Sequence, residues 1–486
     1  MSDIITLANQ IAAEKENIRQ AIEDRGVSIP ASTPLTDYAA KIMSIDTQNV
    51  ASDVYLIDEN YDSSTTDLLI AGNYGVIADN AFARQQNIQT VDLNYVHAVG
   101  NGVFYDCSNL TTVSGNNLKY IGDDAFKDTG LTAFDNTHVK YIGNNAFGNS
   151  AVTSVNIPNC EIVKGGAFMQ ADNLETVNMD SVRDIPGECF YGCNILNSVS
   201  ANSAKSIGGF AFLQAGNGAY TTYGTTYTLS FPEVQTVGME SFYNINGLTS
   251  ISLPKCVSIG NNAFNACSHL ATITIPKVQS IASGAFDNTN AIYTLNIPEC
   301  TSIGTYNFYS NSHRLTEVTV CDGCVIGDHC FKYGVNKING KISRLDGYFM
   351  GDLSSTGTIE IDMDFSGLTY IGTCCFCNYS SDQYINFKSQ VVDLANLTTI
   401  NMYSSEYIFY TGSTGYSNVK KIWLRSDLVG TGSYWDGYRR DYSFNAFNKS
   451  TCHVYTDAAE KPSNWGNMLN NATWHFSATH EEFEVA

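Results

Sequence analysis

The sequence predicts a β-rich solenoid of about 13 regular coils, each about 22 residues long, with irregular coils after them and a short α-helical hairpin before them. Three observations predict it. A Phe recurs on a fixed period: Phe82, Phe104, Phe126, Phe147, Phe168, Phe190 and Phe212 stand 21 or 22 residues apart. After one interval of 30 the series resumes at Phe242, Phe264, Phe286, Phe308 and Phe331, with Phe376 beyond. Five residues before each Phe stands Ile or Val, from Ile77 and Val99 to Ile326 and Ile371. Alternating apolar pairs follow the Phe, as in Val155/Ile157, Ile251/Leu253 and Ile273/Ile275. Such alternation makes a short strand with one buried face, and one coil alone cannot bury its Phe, Ile and Leu.

The elements divide the chain as follows: a helical segment over 1–50, a connector over 51–68, regular coils over 69–335, irregular coils over 336–455, and a cap with an acidic tail over 456–486. In the first segment Ile4, Ile11 and Ile18 are seven apart, a short heptad-like stripe on a helix over 3–24 that Gly26 ends. A second helix over 34–45 starts at Pro34 and turns Leu35, Tyr38 and Ile42 inward. Within the coils, Gly stands four residues before the Phe (Gly100, Gly122, Gly143, Gly208, Gly238, Gly260, Gly304, Gly327), where a tight turn with positive φ is expected. Pro158, Pro254, Pro276 and Pro298 stop the strands.

Regularity fades after Phe331, and 377–443 is rich in Tyr, Ser and Gly. Tyr403, Tyr407, Tyr410, Tyr416, Tyr434 and Trp435 fall there, and Tyr220 and Tyr223 fall in the longer coil between Phe212 and Phe242. These side chains supply rigid amphipathic contact area at low entropic cost. They form either a receptor or glycan contact surface, or decorated coils with solvated loops.

Composition excludes several functions. The net charge of −22, without any Lys/Arg cluster, repels nucleic acid and anionic membrane surfaces. No apolar run reaches the length of a membrane span, and the N-terminus lacks the pattern of a signal peptide. Of the 14 Cys, Cys160, Cys256 and Cys300 lie eight before a Phe and Cys107, Cys193 and Cys267 lie three after one. Both are repeated structural slots, which fits unpaired thiols made in a reducing cytoplasm. Cys321 and Cys324 with His329 and Cys330 have a spacing compatible with zinc, but free thiols or a local disulfide answer it as well. Glu360, Asp362 and Asp364 alternate on one strand face, expected to be solvated. No HExxH, nucleophile elbow or phosphate loop occurs, so no catalytic residue, metal or cofactor is expected.

With the columns in view, segments such as LTSISLPKCVSIGNNAFNACSHLATITIP (248–276) resemble the BspA-type leucine-rich repeats of bacterial and protist surface proteins, over about residues 69–455. The resemblance implies binding or adhesion without catalysis. The stretch NIRQAIEDRGVSIPASTPLTDYAAKI (17–42) is similar to a helical module of bacteriophage tail and fibre virion proteins. It implies that residues 1–50 attach the chain to other virion proteins, with a trimer as the expected oligomer, although a cap over the first coil would use the same amphipathic faces. Together these give the expectation of a virion structural protein (tail fibre, baseplate or head fibre), made in the host cytoplasm and released by lysis. It would present its coils to a bacterial surface glycan or protein. A cellular BspA-type adhesin at the bacterial surface is the alternative, and a fibre-borne glycan-degrading enzyme using the 360–364 carboxylates a further one.

Overall fold

In the computed structural model of the protein, the described residues are 54–55, 64–70, 75–218, 224, 226–312, 315–350, 357–376, 383–402, 409, 419–431, 444, 447 and 451–485. The chain divides into two compact units, Met1–Asn202 and Ser203–Ala486.

In the first unit each coil carries two short strands, and every strand pairs in parallel with its counterpart one coil away. A three-residue strand buries its middle residue: Val155 of Ser154–Asn156 lies beside Phe134 on one side and Val177 on the other. A two-residue strand buries the Ile/Val column, with Ile142 between Ile121 and Val163. Because the strands are parallel and in register, each column meets itself in the next coil, so one residue type solves the packing of all coils. The Phe column shows this most clearly. From Phe82 to Phe190 successive rings lie 5.4–5.6 Å apart with interplanar angles of 6–16°, all fully buried. That is offset stacking set by the coil spacing.

The second unit repeats the scheme. Its two-residue strands pair in parallel from Ser206–Ile207 onward, with Ile259 beside Val237 and Ile281, and Ile303 beside Ile281 and Ile326. Its Phe rings stack at 4.9–5.5 Å from Phe212 to Phe331.

The turn that carries the Phe is itself a ladder. Two residues before the Phe and two after it the backbone is left-handed, as at Asp124 and Asp128 around Phe126 and Asn145 and Asn149 around Phe147. This points alternate N–H groups at the next coil: Asp124 N–H donates to Asn144 O (2.8 Å), Phe126 to Ala146 O (2.8 Å) and Asp128 to Gly148 O (3.0 Å). Asn, Asp and Gly dominate these two columns because they tolerate the left-handed region best.

The Gly column four residues before the Phe therefore does not hold the positive φ assigned to it from sequence; the left-handed residues are the two columns flanking the Phe. Gly is required there by close approach instead. A Cβ on Gly122 would stand 2.6 Å from the carbonyl carbon of Gly100, and one on Gly260 would stand 2.7 Å from that of Gly238.

After Phe331, within the stretch of irregular coils, one coil is present that residue identity conceals. Strand Ile342–Leu345 places Leu345 between Ile326 and Ile371, in the Ile/Val column. Met350, five residues on, is fully buried with N–H to Cys375 O at 3.0 Å, and the ring between Phe331 and Phe376 is supplied by its neighbour Phe349, edge-on at 5.7 and 5.6 Å. Beyond it Phe409 stacks on Phe376 at 5.0 Å and 2°. The chain closes with parallel strands His453–Tyr455 and Thr473–His475. The acidic end is not a bare tail: helix His480–Val485 seats Phe483, 2% exposed, against Trp423 and Tyr455.

Candidate functional site

The residues singled out from sequence all lie outside the described residues: Ile4, Ile11, Ile18, Leu35, Tyr38 and Ile42 of the first segment, and Tyr220, Tyr223, Tyr403, Tyr407, Tyr410, Tyr416, Tyr434 and Trp435 of the Tyr-rich loops. The other candidates are placed. Asp362 pairs with Lys388 at 2.9 Å, Asp364 accepts from Ser366 N–H at 2.8 Å, and Glu360 is exposed beside them. This is the solvated strand face expected, with an ion pair from Lys388 added. Cys321 Sγ donates to Cys300 O (3.0 Å) and the buried Cys330 Sγ to Gly304 O (2.9 Å). Among the described residues no group of three His, Cys, Asp or Glu is arranged to hold a metal ion.

The repeated Cys slots are structural. Cys107, Cys193 and Cys267 donate to the Phe carbonyl of the preceding coil, at 3.1, 3.0 and 2.9 Å. Burial pushes the thiols up, Cys107 to about 11 and Cys160 to about 12, which leaves them protonated and unreactive at neutral pH.

A site that the sequence reading missed lies where the left-handed column changes character. Two residues before the Phe this column reads Asn80, Gly102, Asp124, Asn145, Gly166 and Glu188 in the first unit. In the second it reads Phe210, Glu240, Asn262 and Gly284, and then three rings in succession, Tyr306, His329 and Tyr348, all with positive φ. The rings form a stack: His329 lies 5.0 Å from Tyr306 (18°) and 4.4 Å from Tyr348 (16°). Tyr309 meets Tyr306 edge-on at 5.4 Å, and the Lys332 ammonium lies 4.8 Å from the Tyr309 ring centre. Asp328 Oδ2 is 3.0 Å from His329 Nδ1, off the direction of a hydrogen bond. Tyr306 is 47% exposed, so this aromatic surface faces solvent.

The backbone beneath the stack is rebuilt to hold it. In ten coils, from Asn80/Arg84 to Gly284/Asn288, the second left-handed residue lies two after the Phe. In the coils of Tyr306 and His329 it is the Phe itself, Phe308 (φ 57°) and Phe331 (φ 53°). A bulky residue there is a genuine outlier, costing on the order of 1–3 kcal/mol. Two fully buried amides repair the interrupted ladder. Asn307 Oδ1 accepts from Phe286 N–H at 3.1 Å, and its Nδ2 donates to Ala282 O and Gly304 O at 3.0 and 2.8 Å. Asn311 pairs with the backbone of Thr289, accepting at 2.9 Å and donating at 3.2 Å. Four coils of the first unit place Ala where Asn307 stands, as at Ala81, Ala125, Ala146 and Ala167. The signal that could have found the site is this pair of column changes, small to aromatic and Ala to Asn, in one coil.

The first unit has a different feature. Phe126 and Phe147 are followed by their next apolar anchor after five residues (Leu131, Val152), against six for Phe104–Leu110 and Phe168–Leu174. The shortened coils dent the surface into a polar groove of about 530 Å³ lined by Asp106, Asp128, Asn149, Gln170 and Asp172 among others. Asn149 Nδ2 already donates to Asp128 Oδ1 at 2.6 Å, so part of this lining satisfies itself.

Comparisons with known proteins agree with the repeat. The model of the "BspA type Leucine rich repeat region" matches residues 41–150, 132–229 and 215–339. No curated protein sequence matches the chain. Among solved structures it is similar to a leucine-rich repeat protein from Bacteroides ovatus, at 18% identity and TM-score 0.37 over 74% of this chain and 88% of that one. A leucine-rich cell surface protein from Faecalibacterium prausnitzii is similar at 16% identity and TM-score 0.30, over 87% of this chain and 90% of that one. A leucine-rich repeat protein from Eubacterium ventriosum is similar at 19% identity and TM-score 0.29, over 51% of this chain and 83% of that one. With the periodic columns, the parallel coils and a family match spanning more than half of its 486 residues, the chain belongs to the BspA-type leucine-rich-repeat family.

Proposed function

We propose that this chain is a non-catalytic recognition protein of bacterial surfaces, an adhesin or interaction protein, that captures its ligand on exposed side chains of the coils. The observation that carries the proposal is the Tyr306–His329–Tyr348 stack, three successive rings held in left-handed backbone that most other coils fill with Asn, Asp, Gly or Glu. Strain of that kind persists where surrounding structure enforces it, and Asn307 and Asn311 do so here. The Tyr-rich loops around Tyr220, Tyr407 and Trp435 are a second contact region. The ligand is a surface glycan or protein, held by many weak contacts and multiplied by copy number. No cofactor is used.

The test is binding of the fluorescently labelled full chain to whole bacterial cells of differing envelope type, beside a variant with Tyr306, His329 and Tyr348 all replaced by Asn. Retention on at least one cell type, reduced tenfold or more in the variant, supports the proposal. Equal retention of both proteins, or none of either, contradicts it.

A second reading concerns what carries the coils. The likeness of residues 17–42 to virion modules favours a bacteriophage particle, with residues 1–50 binding other virion proteins as an oligomer. Mass spectrometry of density-purified particles from a lysed culture decides it. Stoichiometric presence in particles supports the virion carrier, and recovery on cell envelopes alone supports the cell surface.

A further inference from the structure

An Asn–Gly step recurs three times in the left-handed column: Asn80–Gly102, Asn145–Gly166 and Asn262–Gly284. In each, the Asn carboxamide oxygen leans over the Gly of the next coil, where a Cβ would collide with it. The coil after that differs. Gly102 is followed by Asp124 and Gly166 by Glu188, but Gly284 is followed by Tyr306. One face of the Tyr306 ring is covered by His329 at 5.0 Å. Its other face turns toward the coil of Gly284, which has no side chain to cover it, and the residue stays 47% exposed. Gly284 contributes no side chain to the layer over the ring, about 4.8 Å high, and the Asn262 carboxamide oxygen enters that layer from the far side.

We propose that this slot is a carbohydrate subsite that stacks one pyranose ring of a neutral glycan on the open face of Tyr306. The proposal rests on the recognition function above and names its ligand class. The chemistry is complementary on each wall. A tyrosine ring carries negative charge on its face, and the axial C–H hydrogens of a pyranose carry partial positive charge. Tyr309, edge-on to Tyr306, closes one side. Opposite the aromatic floor stand the amides of Asn262 and Asn265, tied by Asn265 Nδ2 to Asn262 Oδ1 at 3.3 Å, which suit sugar hydroxyls. Alongside runs a row of small polar groups from successive coils. Ser283 N–H donates to Asn261 Oδ1 (3.1 Å) and Thr305 Oγ1 to Ser283 Oγ (3.0 Å). The chain carries −22, so polyanionic glycans and nucleotides are disfavoured.

The experiment is saturation-transfer NMR of the full chain with neutral hexasaccharides: β-1,4-glucan, α-1,4-glucan, β-1,4-mannan and α-1,6-mannan. At least one should bind, its axial ring protons saturated most strongly. Tyr306→Asn keeps a residue suited to left-handed backbone and should weaken binding at least tenfold without changing the melting temperature. Tyr306→Phe should bind like the wild type, and Gly284→Asn, whose Cβ displaces the Asn262 carboxamide and fills the layer over the ring, should bind like Tyr306→Asn. Absence of binding by all four sugars overturns the carbohydrate assignment, as does equal binding by Tyr306→Asn. If the sugars fail but Tyr306→Asn still lowers retention on whole cells, the recognition function stands with a ligand other than a neutral glycan. If both assays are indifferent to the substitution, both proposals fall.

Discussion

The coils around Phe126 and Phe147 and those around Phe308 and Phe331 meet the same demand with different chemistry. Each must turn the chain while donating alternate N–H groups to its neighbour. The first pair does so with Asp124, Asp128, Asn145 and Asn149, residues that enter left-handed backbone at small cost. The second pair uses Tyr306, Phe308, His329 and Phe331, and buries Asn307 and Asn311 to repair the ladder. Folding alone favours the first solution. The second exposes a stack of rings, and the difference teaches that recognition in this solenoid is written where a coil departs from its own column.

Replacing a ladder ring should have the largest effect and be blind to that difference. Phe147→Ala in the first unit and Phe286→Ala in the second each remove a fully buried ring stacked on both sides. Each should cost about 3–5 kcal/mol by denaturant titration. Unequal losses would mean the two units do not share one core logic.

Asn311→Ala sharpens the comparison. It strips the Thr289 N–H of its acceptor and should cost about 1–3 kcal/mol, measured the same way. Ser150→Ala, in the corresponding slot of a regular coil, loses one hydroxyl that donates to Phe147 O at 2.7 Å and should cost about 1 kcal/mol. Equal effects would deny the buried amide its repairing role.

Tyr306→Asn should change stability by no more than about 1 kcal/mol, since lost ring contacts and relieved backbone strain nearly offset one another.

Thiol chemistry reads the shared interior. Cys256 and Cys267 are held up at about 11 and about 12 by burial, while the half-buried Cys321 is raised by burial to a lesser extent. Iodoacetamide at neutral pH should label Cys321 first among the described cysteines and the buried columns only after unfolding, as peptide mapping would show.

The smallest effect belongs to the charged rows on the surface. Lys205 and Lys255 hydrogen-bond Glu233 and hold its carboxyl down at about 2, from an ordinary 4.5. Because the folded value is depressed, the contribution is complete above about pH 4.5 and disappears as the pH falls toward about 2. Acid titration of Glu233→Gln should therefore differ from wild type near neutrality, with the gap closing toward pH 2.

Much of the fold was legible because Phe and Ile repeat as residue types: a ring that must meet its own copy in the next coil admits few alternatives. The coil of Leu345 and Phe349 was hidden for the converse reason, since Leu replaces Ile or Val and the ring comes four rather than five residues later, which breaks the visible pattern. The left-handed columns were obscured by their variety, as Asn, Asp, Gly, Glu and Gln share a backbone state and no side-chain property. Gly four before the Phe drew the positive φ to itself, although interchain-like crowding between coils is what excludes a Cβ there. Tyr306 and Tyr348 went unnoticed among 29 Tyr, and His329 was weighed only as a metal ligand, because their meaning lies in the column they occupy. Aligning that column, rather than counting aromatic density, separates them from the Tyr-rich loops.

The account's central claim is that the aromatic stack serves binding and not folding. The most direct test measures melting temperature and whole-cell retention together for the triple Asn replacement of Tyr306, His329 and Tyr348. The account predicts a melting temperature within a few degrees of wild type with retention reduced at least tenfold. A collapse of the melting temperature with retention preserved by the remaining folded protein would make the stack a structural element and contradict it.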